Sequence, residues 1–184
     1  MGRHRQPEIR ERILGACTDH ALSYGLPDRL EPLADAAGTS TRMLIYHFGT
    51  RDALLRAVLR QARRQQLEAF GALLQPQPGE SYAATLTRAW AGMTGADGQP
   101  YLQMFGRLRE SADLQLWPEF RKAATTDWLA PLEQGLRSTG RPELATLVLA
   151  VIRGLLLDLD ATQDTARTSR AFEQFLDTIG AILR

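Results

Sequence analysis

Five polar side chains lie close together in one short segment, and their chemical types suit the recognition of nucleic acid. They are Ser40, Thr41, Arg42, Tyr46 and His47. An arginine can donate two hydrogen bonds to one guanine, and a hydroxyl group can donate to a base edge or to a phosphate. We therefore expect Arg42 to contact a base, and Ser40 or Thr41 to contact a base or a phosphate. Tyr46 and His47 are expected to donate to phosphate oxygens.

Two short helices joined by a tight turn are needed to present these side chains. Apolar residues recur at helical spacing on both sides of the turn, at Leu30, Leu33, Ala34, Ala37, Met43, Leu44 and Phe48. Gly38 can adopt the positive φ that ends the first helix, and Thr39 or Ser40 can cap the second helix. The pattern predicts a helix-turn-helix.

An acidic residue, Glu31, lies near the start of the first of these helices. With Asp28 three residues before it, Glu31 predicts a capping box, in which Asp28 is the N-cap residue. The alternative is a contact with DNA, where a carboxylate repels phosphate unless it accepts from a cytosine amino group.

Three stretches of this region resemble the DNA-binding domain of the TetR family of bacterial repressors. They are residues 34–40 (ADAAGTS), 44–48 (LIYHF) and 51–55 (RDALL), and the resemblance extends back to residues 10–17 and Gly25. It implies an all-α protein of about nine helices. A three-helix helix-turn-helix domain would occupy residues 1–50, and a helical ligand-binding and dimerisation domain would occupy residues 51–184.

Four residues near the motif extend or modify the expected DNA contacts. Arg51 stands where the family usually has a lysine, and the resemblance implies a phosphate contact there. Ile45 replaces a frequent tyrosine, so it loses a hydrogen bond but could touch a thymine methyl group. Arg3 and Arg5 belong to a basic N-terminal arm, which either lies along a minor groove or is a solvated tail.

Charge, cysteine content and hydropathy limit the class of protein. Residues 1–64 hold 11 arginines and 7 acidic residues, whereas residues 65–184 hold 11 basic and 14 acidic residues, so the motif lies in the basic part. The single cysteine, Cys17, fits a reduced compartment and the role of a small buried apolar residue. We see no signal peptide and no apolar run long enough to span a membrane, and expect a cytoplasmic protein.

Enzymatic chemistry has little support in the sequence. The three histidines are scattered, and Cys17 has no evident base near it in the sequence. We therefore expect no enzyme, no metal and no cofactor.

Beyond the motif, glycine and proline signals divide the chain into helices without strand alternation. A long helix is predicted over residues 51–74, and the arginines at 56, 60, 63 and 64 are expected to form its solvated face. Another single helix is predicted over residues 118–137.

The middle of the chain is rich in large aromatic and flexible apolar residues. They are Trp90, Met93, Tyr101, Met104, Phe105, Leu108, Trp117, Phe120 and Trp128. Such residues can line a cavity for a small apolar or aromatic ligand, and they can equally form a plain core. The resemblance implies a ligand site in this region.

The last two predicted helices, which begin at Pro142 and near Thr168, carry more apolar residues than one subunit needs. We expect them to form a two-fold four-helix contact between two subunits, and the alternative is burial within one subunit. The predicted interface residues are Leu147, Val151, Gly154, Leu155, Phe172, Phe175, Leu176 and Ile179.

Together these features predict a homodimeric DNA-binding regulator, a repressor that binds a palindromic operator and is released by a small molecule. The alternative is a helical small-molecule binding protein without operator recognition, which Glu31 and Ile45 would favour.

Overall fold

A computed structural model describes residues 5–110 and 115–180, without the side chains of residues 5, 6, 109, 110, 121 and 124. Within those ranges the chain is helical and has no strand, which confirms the all-α prediction. The α-helices are α1 Arg5–Tyr24, α2 Glu31–Ala36, α3 Thr41–Phe48, α4 Arg51–Leu73, α5 Tyr82–Thr94, α6 Gln99–Glu110, α7 Phe120–Thr126, α8 Leu129–Leu136, α9 Ala145–Thr162 and α10 Thr165–Gly180. Two 3-10 turns, Arg137–Thr139 and Pro142–Leu144, lie between α8 and α9.

The chain forms two compact units whose boundary falls inside α4. The first unit contains the chain up to Gln65 together with the segment around Leu116 and Trp117, and the second contains the other residues. The predicted domain boundary lies after residue 50, just before α4, and it stays a prediction.

Small and aliphatic side chains from four helices are buried in the first unit. Ile13, Cys17, Leu33, Leu44 and Leu54 have almost no exposed surface, whereas Ile9, in the same stripe of α1, is exposed. Burial raises the pKa of the Cys17 thiol to about 11, so the thiol stays protonated at neutral pH. Cys17 is thus a small buried residue, as expected.

The core of the second unit is built mainly by α5, α8, α9 and α10. Its fully buried side chains include Leu86, Leu132, Val148 and Phe172. Helix α9 packs against α8 and α10, and α10 also packs against α5. Each of these helices therefore buries one apolar face within the subunit itself.

Two predictions about the helices were wrong. The single helix expected over residues 118–137 is interrupted after Thr126 and restarts at Leu129. Pro131 lies in the first turn of α8, where its missing N–H costs no helical hydrogen bond, and it could not lie inside a continuous helix without a kink. Arg63, expected on a solvated face of α4, is buried.

A network of hydrogen bonds around Glu80 joins the end of α4 to α5. Arg88 binds both carboxylate oxygens of Glu80, at 3.0 and 2.7 Å, and also donates to the carbonyl of Gln75 at 3.0 Å. The N–H of Gln77 and the hydroxyl of Thr85 donate to the same carboxylate. These bonds, chiefly that from Arg88, lower the pKa of Glu80 from 4.5 to about 2.

This lowered pKa predicts a pH-dependent contribution to stability. Because the folded-state pKa is the lower one, the stabilisation is complete above the unfolded-state pKa and is lost as the pH falls towards 2. We expect Glu80→Gln to lower the melting temperature at pH 7. The difference in melting temperature between this variant and the wild type should become smaller as the pH is lowered from 5 to 3. Thermal melts monitored by circular dichroism test this, with Glu133→Gln, at an exposed position of α8, as the control. A difference in melting temperature that does not change with pH would contradict this prediction.

Candidate nucleic-acid interface

Local chemistry fixes both ends of α3, the second helix of the motif. Gly38 adopts a φ of +59° in the turn before it. Ser40 has extended backbone angles, and its Oγ accepts a hydrogen bond from the N–H of Met43 at 3.3 Å. Gly49, with a φ of +86°, ends the helix. The predicted cap and the predicted turn glycine are therefore confirmed.

The orientation of α3 follows from which of its residues are buried. Leu44 and Phe48 are buried, and they lie one turn apart on the same side of the helix. At 3.6 residues per turn, Arg42 and Tyr46 lie together on the opposite side, and both are exposed. We call this pair the Arg42–Tyr46 ridge.

Two apolar side chains flank the Arg42–Tyr46 ridge. Met43 and Ile45 each lie about 80° from the middle of the ridge, on opposite sides of it. Met43 is 40% exposed and Ile45 is 38% exposed, while Tyr46 on the ridge is 65% exposed. Met43, whose helical spacing with Leu44 and Phe48 indicated a buried position, is therefore not on the buried face of α3. A helix of eight residues with several apolar side chains does not define one buried face by spacing alone.

The other residues predicted to contact DNA differ in how exposed they are. Ser40 is exposed, and Thr41 is half-buried. His47 is also half-buried, and its Nε2 atom is buried without a hydrogen-bond partner in the part of the chain that the structure describes. Arg3 lies outside the described residues. Arg5, predicted to belong to the N-terminal arm, is the first residue of α1.

Arg51 forms contacts within the protein that its position in the sequence does not reveal. Its Nε donates to the carbonyl of Asp28 at 3.1 Å, and its Nη2 donates to the carbonyl of Pro27 at 3.0 Å. The predicted capping box is wrong, because Leu30 is the N-cap residue of α2 and no side chain caps that helix. Arg51 thus fixes the loop that leads into α2, and its phosphate contact stays a prediction.

Arg10 supports the end of α3 from helix α1. Its guanidinium lies 4.7 Å from the ring centre of Phe48, and its Nε donates to the carbonyl of His47 at 3.4 Å. The last carbonyls of a helix lack partners within the helix, so this contact satisfies one of them. No local pattern reveals it, because 37 residues separate Arg10 from His47.

The predicted ligand-binding residues are mostly buried. Trp90, Met93, Met104, Phe105, Leu108 and Phe120 are buried, and Tyr101, Trp117 and Trp128 are half-buried. The Trp90 indole stacks on Phe172 at 4.7 Å and donates to the Ser169 hydroxyl at 3.1 Å. Trp117 belongs to the first unit and the others to the second. These contacts give Trp90 a role in the core, and a ligand role for the set stays a prediction.

A groove of about 370 Å³ lies between α5 and α10 in the second unit. Its lining consists of four small residues, two acidic residues and one leucine: Ala83, Ala84, Thr87, Gly180, Glu173, Asp177 and Leu176. None of the predicted ligand-binding residues lines this groove.

The predicted dimer residues fall into two groups. Phe172, Leu176 and Ile179 are buried within the core of the subunit, and an interface role for them stays a prediction. The other predicted interface residues are at least partly exposed and form apolar surface. Leu147 is 47% exposed, Gly154 is exposed, and Val151, Leu155 and Phe175 are half-buried. Leu157, which was not predicted, is 48% exposed on α9.

The described residues include no group of three or more histidine, cysteine, aspartate or glutamate side chains placed to hold a metal ion. None of the helices that the structure describes is both long enough and apolar enough to span a membrane.

The Ser40 cap allows the folding of α3 to be separated from its predicted role in DNA binding. We expect Ser40→Ala to cost about 1 kcal/mol of stability, because the N–H of Met43 loses its acceptor. Ser40→Asp keeps a capping oxygen, so it should melt close to the wild type. Its negative charge should nevertheless weaken DNA binding. Chemical denaturation and DNA titration of both variants test this, and equal stability of Ser40→Ala and the wild type would show that the cap is not needed.

Two solved structures share this fold over nearly the whole chain. One is the crystal structure of a protein from Rhodococcus sp. assigned to the TetR family of transcriptional regulators; the match has a TM-score of 0.66 and 22% identity, and covers 96% of this chain and 100% of that one. The other is a transcriptional regulator from Rhodococcus sp. Rha1, with the same score and identity and 95% coverage of each chain. No protein-family model and no curated protein matches the sequence significantly. The likeness establishes the fold that the resemblance implied.

Proposed function

We propose that this chain is a DNA-binding transcriptional regulator, a repressor that binds a palindromic operator as a homodimer. The observation that carries the proposal is the exposed Arg42–Tyr46 ridge on a capped helix, opposite the buried Leu44 and Phe48. This is how a recognition helix presents side chains to base edges in the major groove. The 11 arginines and 7 acidic residues of residues 1–64 supply the positive charge that phosphate requires.

Dimerisation is proposed through the exposed apolar surface of α9 and the adjoining part of α10. Leu147, Gly154 and Leu157 are exposed on α9, and Phe175 of α10 is half-buried. A two-fold contact would use the same surface on both copies and would give each dimer two recognition helices. Such dimers read two half-sites about one helical turn of DNA, or a multiple of it, apart.

Release by a ligand is the third part of the proposal. A small apolar or aromatic molecule held in the second unit would favour a conformation of the dimer in which the two recognition helices no longer match successive grooves. A panel of such compounds can be screened for a raised melting temperature, and the hits tested for release of DNA. The proposal expects a hit that weakens operator binding while the dimer persists. Hits that never change DNA affinity would contradict it.

The DNA-binding part is tested by titrating the protein with duplexes from the region upstream of its own gene, at several salt concentrations. We expect binding tighter than to scrambled duplexes of the same length, with a salt dependence that indicates several neutralised phosphates. If the upstream duplexes bind no more tightly, a genome-wide selection of bound fragments decides whether the operator lies elsewhere. Failure of both would favour the helical small-molecule binding protein.

A further inference from the structure

We infer that the operator is recognised partly through pyrimidine 5-methyl groups, which Met43 and Ile45 contact on the two sides of the Arg42–Tyr46 ridge. This inference rests on the proposed function, and it names a chemical feature that the operator must contain.

Exposed apolar surface is concentrated on α3. Seven large hydrophobic side chains, with tyrosine counted among them for its ring, are exposed in the part of the chain that the structure describes. Three of them, Met43, Ile45 and Tyr46, belong to this helix of eight residues. Leu44 and Phe48 already supply its buried anchor. Met43 and Ile45 therefore form apolar surface beside the side chains expected to read DNA.

Major-groove chemistry identifies what this surface can contact. The edges of the four bases display hydrogen-bond donors and acceptors, and the apolar group among them is the 5-methyl of thymine. Arg42 suits the two acceptors of a guanine. A helix is about 10 Å wide, which corresponds to about three base pairs at 3.4 Å each. We therefore expect pyrimidines that carry a methyl group on both sides of the guanine that Arg42 contacts, and close to it.

Replacing thymine with uracil tests the inference, because the exchange removes the methyl group and leaves the pairing edge unchanged. The probe is the operator duplex that the wild-type protein selects, with one thymine exchanged at a time and then the symmetric pair. We expect the affinity to fall about fourfold for each contacted methyl group, because burial of a methyl-sized group contributes about 0.8 kcal/mol to binding. Exchange of both symmetric positions should lower the affinity about 15-fold.

Protein variants assign each methyl to a side chain. In Ile45→Ala, the affinity ratio between thymine and uracil should fall to about one at the base that Ile45 contacts and stay unchanged elsewhere, and Met43→Ala should behave likewise at its own base. The matched control is Ile9→Ala, an exposed isoleucine of α1, which should leave every ratio unchanged.

The outcomes separate the inference from the function on which it rests. Specific binding that changes less than twofold with uracil throughout both half-sites would overturn the inference and leave the proposed function intact. Equal thymine-to-uracil ratios in Ile45→Ala, Met43→Ala and the wild type would also overturn it. Failure of the wild type to prefer any duplex over random DNA would overturn both.

Discussion

Replacing Arg42 with alanine should lower the affinity for the operator at least about 30-fold and leave the affinity for random DNA almost unchanged. Arg42 is exposed on the ridge of α3, where a guanidinium can donate two hydrogen bonds to one guanine. A bidentate contact of this kind discriminates by about 1 to 3 kcal/mol, and a dimer makes it twice. Random DNA loses at most one phosphate contact for each copy. Titration of operator and scrambled duplexes at one salt concentration measures both effects.

The matched control for this variant is Arg60→Ala. Arg60 is an exposed arginine of α4, so its replacement removes the same charge without changing α3. We expect this variant to retain its preference for the operator. Arg42→Lys keeps the charge but loses the paired donors, and it should resemble Arg42→Ala in specificity. If the Arg42 and Arg60 variants lost equal affinity on both duplexes, Arg42 would contribute only general electrostatic attraction.

Replacing Gly154 with arginine should convert the proposed dimer to a folded monomer and abolish the proposed tight binding of an operator. A Cβ atom at Gly154 would meet nothing within 4 Å among the residues that the structure describes, so a longer side chain fits there. In a close contact between two copies of α9, the same side chain would leave an unpaired buried charge at a cost of about 3 to 5 kcal/mol for each copy. Sedimentation equilibrium measures the dimer, and circular dichroism checks the fold.

Two further variants make the Gly154 result interpretable. Gly154→Ala adds one methyl group and improves helix propensity by about 1 kcal/mol, so the subunit should be at least as stable. Ala91→Arg adds the same charge at an exposed position of α5 and should remain dimeric. If Gly154→Arg formed dimers with the affinity of the wild type, the proposed interface would be wrong.

Helix α3 was largely predictable because short-range chemistry determines its ends. Gly38 takes the positive φ that its turn requires, and Ser40 caps the helix through a bond that spans three residues. The contacts that hold the helix in place were not predictable. Arg10 reaches His47 across 37 residues, and Arg51 reaches back 24 residues to Pro27. Periodicity contains no information about such pairs.

The contacts of the C-terminal helices could not be predicted from periodicity either. The apolar stripe of α10 was correctly predicted, but a stripe does not reveal whether its partner belongs to the same chain or to a second copy. Phe172, Leu176 and Ile179 are covered by the core of their own subunit. The break between α7 and α8 was missed although Pro131 signals it, because a proline fits the first turn of a helix but not the interior of the single helix predicted over residues 118–137.

The central claim is that two copies of this chain read one palindromic operator, and selection from a library of random duplexes tests it most directly. The account predicts enrichment of one motif with two inverted half-sites, each containing a guanine, and bound by two chains per duplex. Arg42→Ala should no longer enrich that guanine. A library that emerges without any enriched motif, under conditions in which the protein is folded and dimeric, would contradict the account.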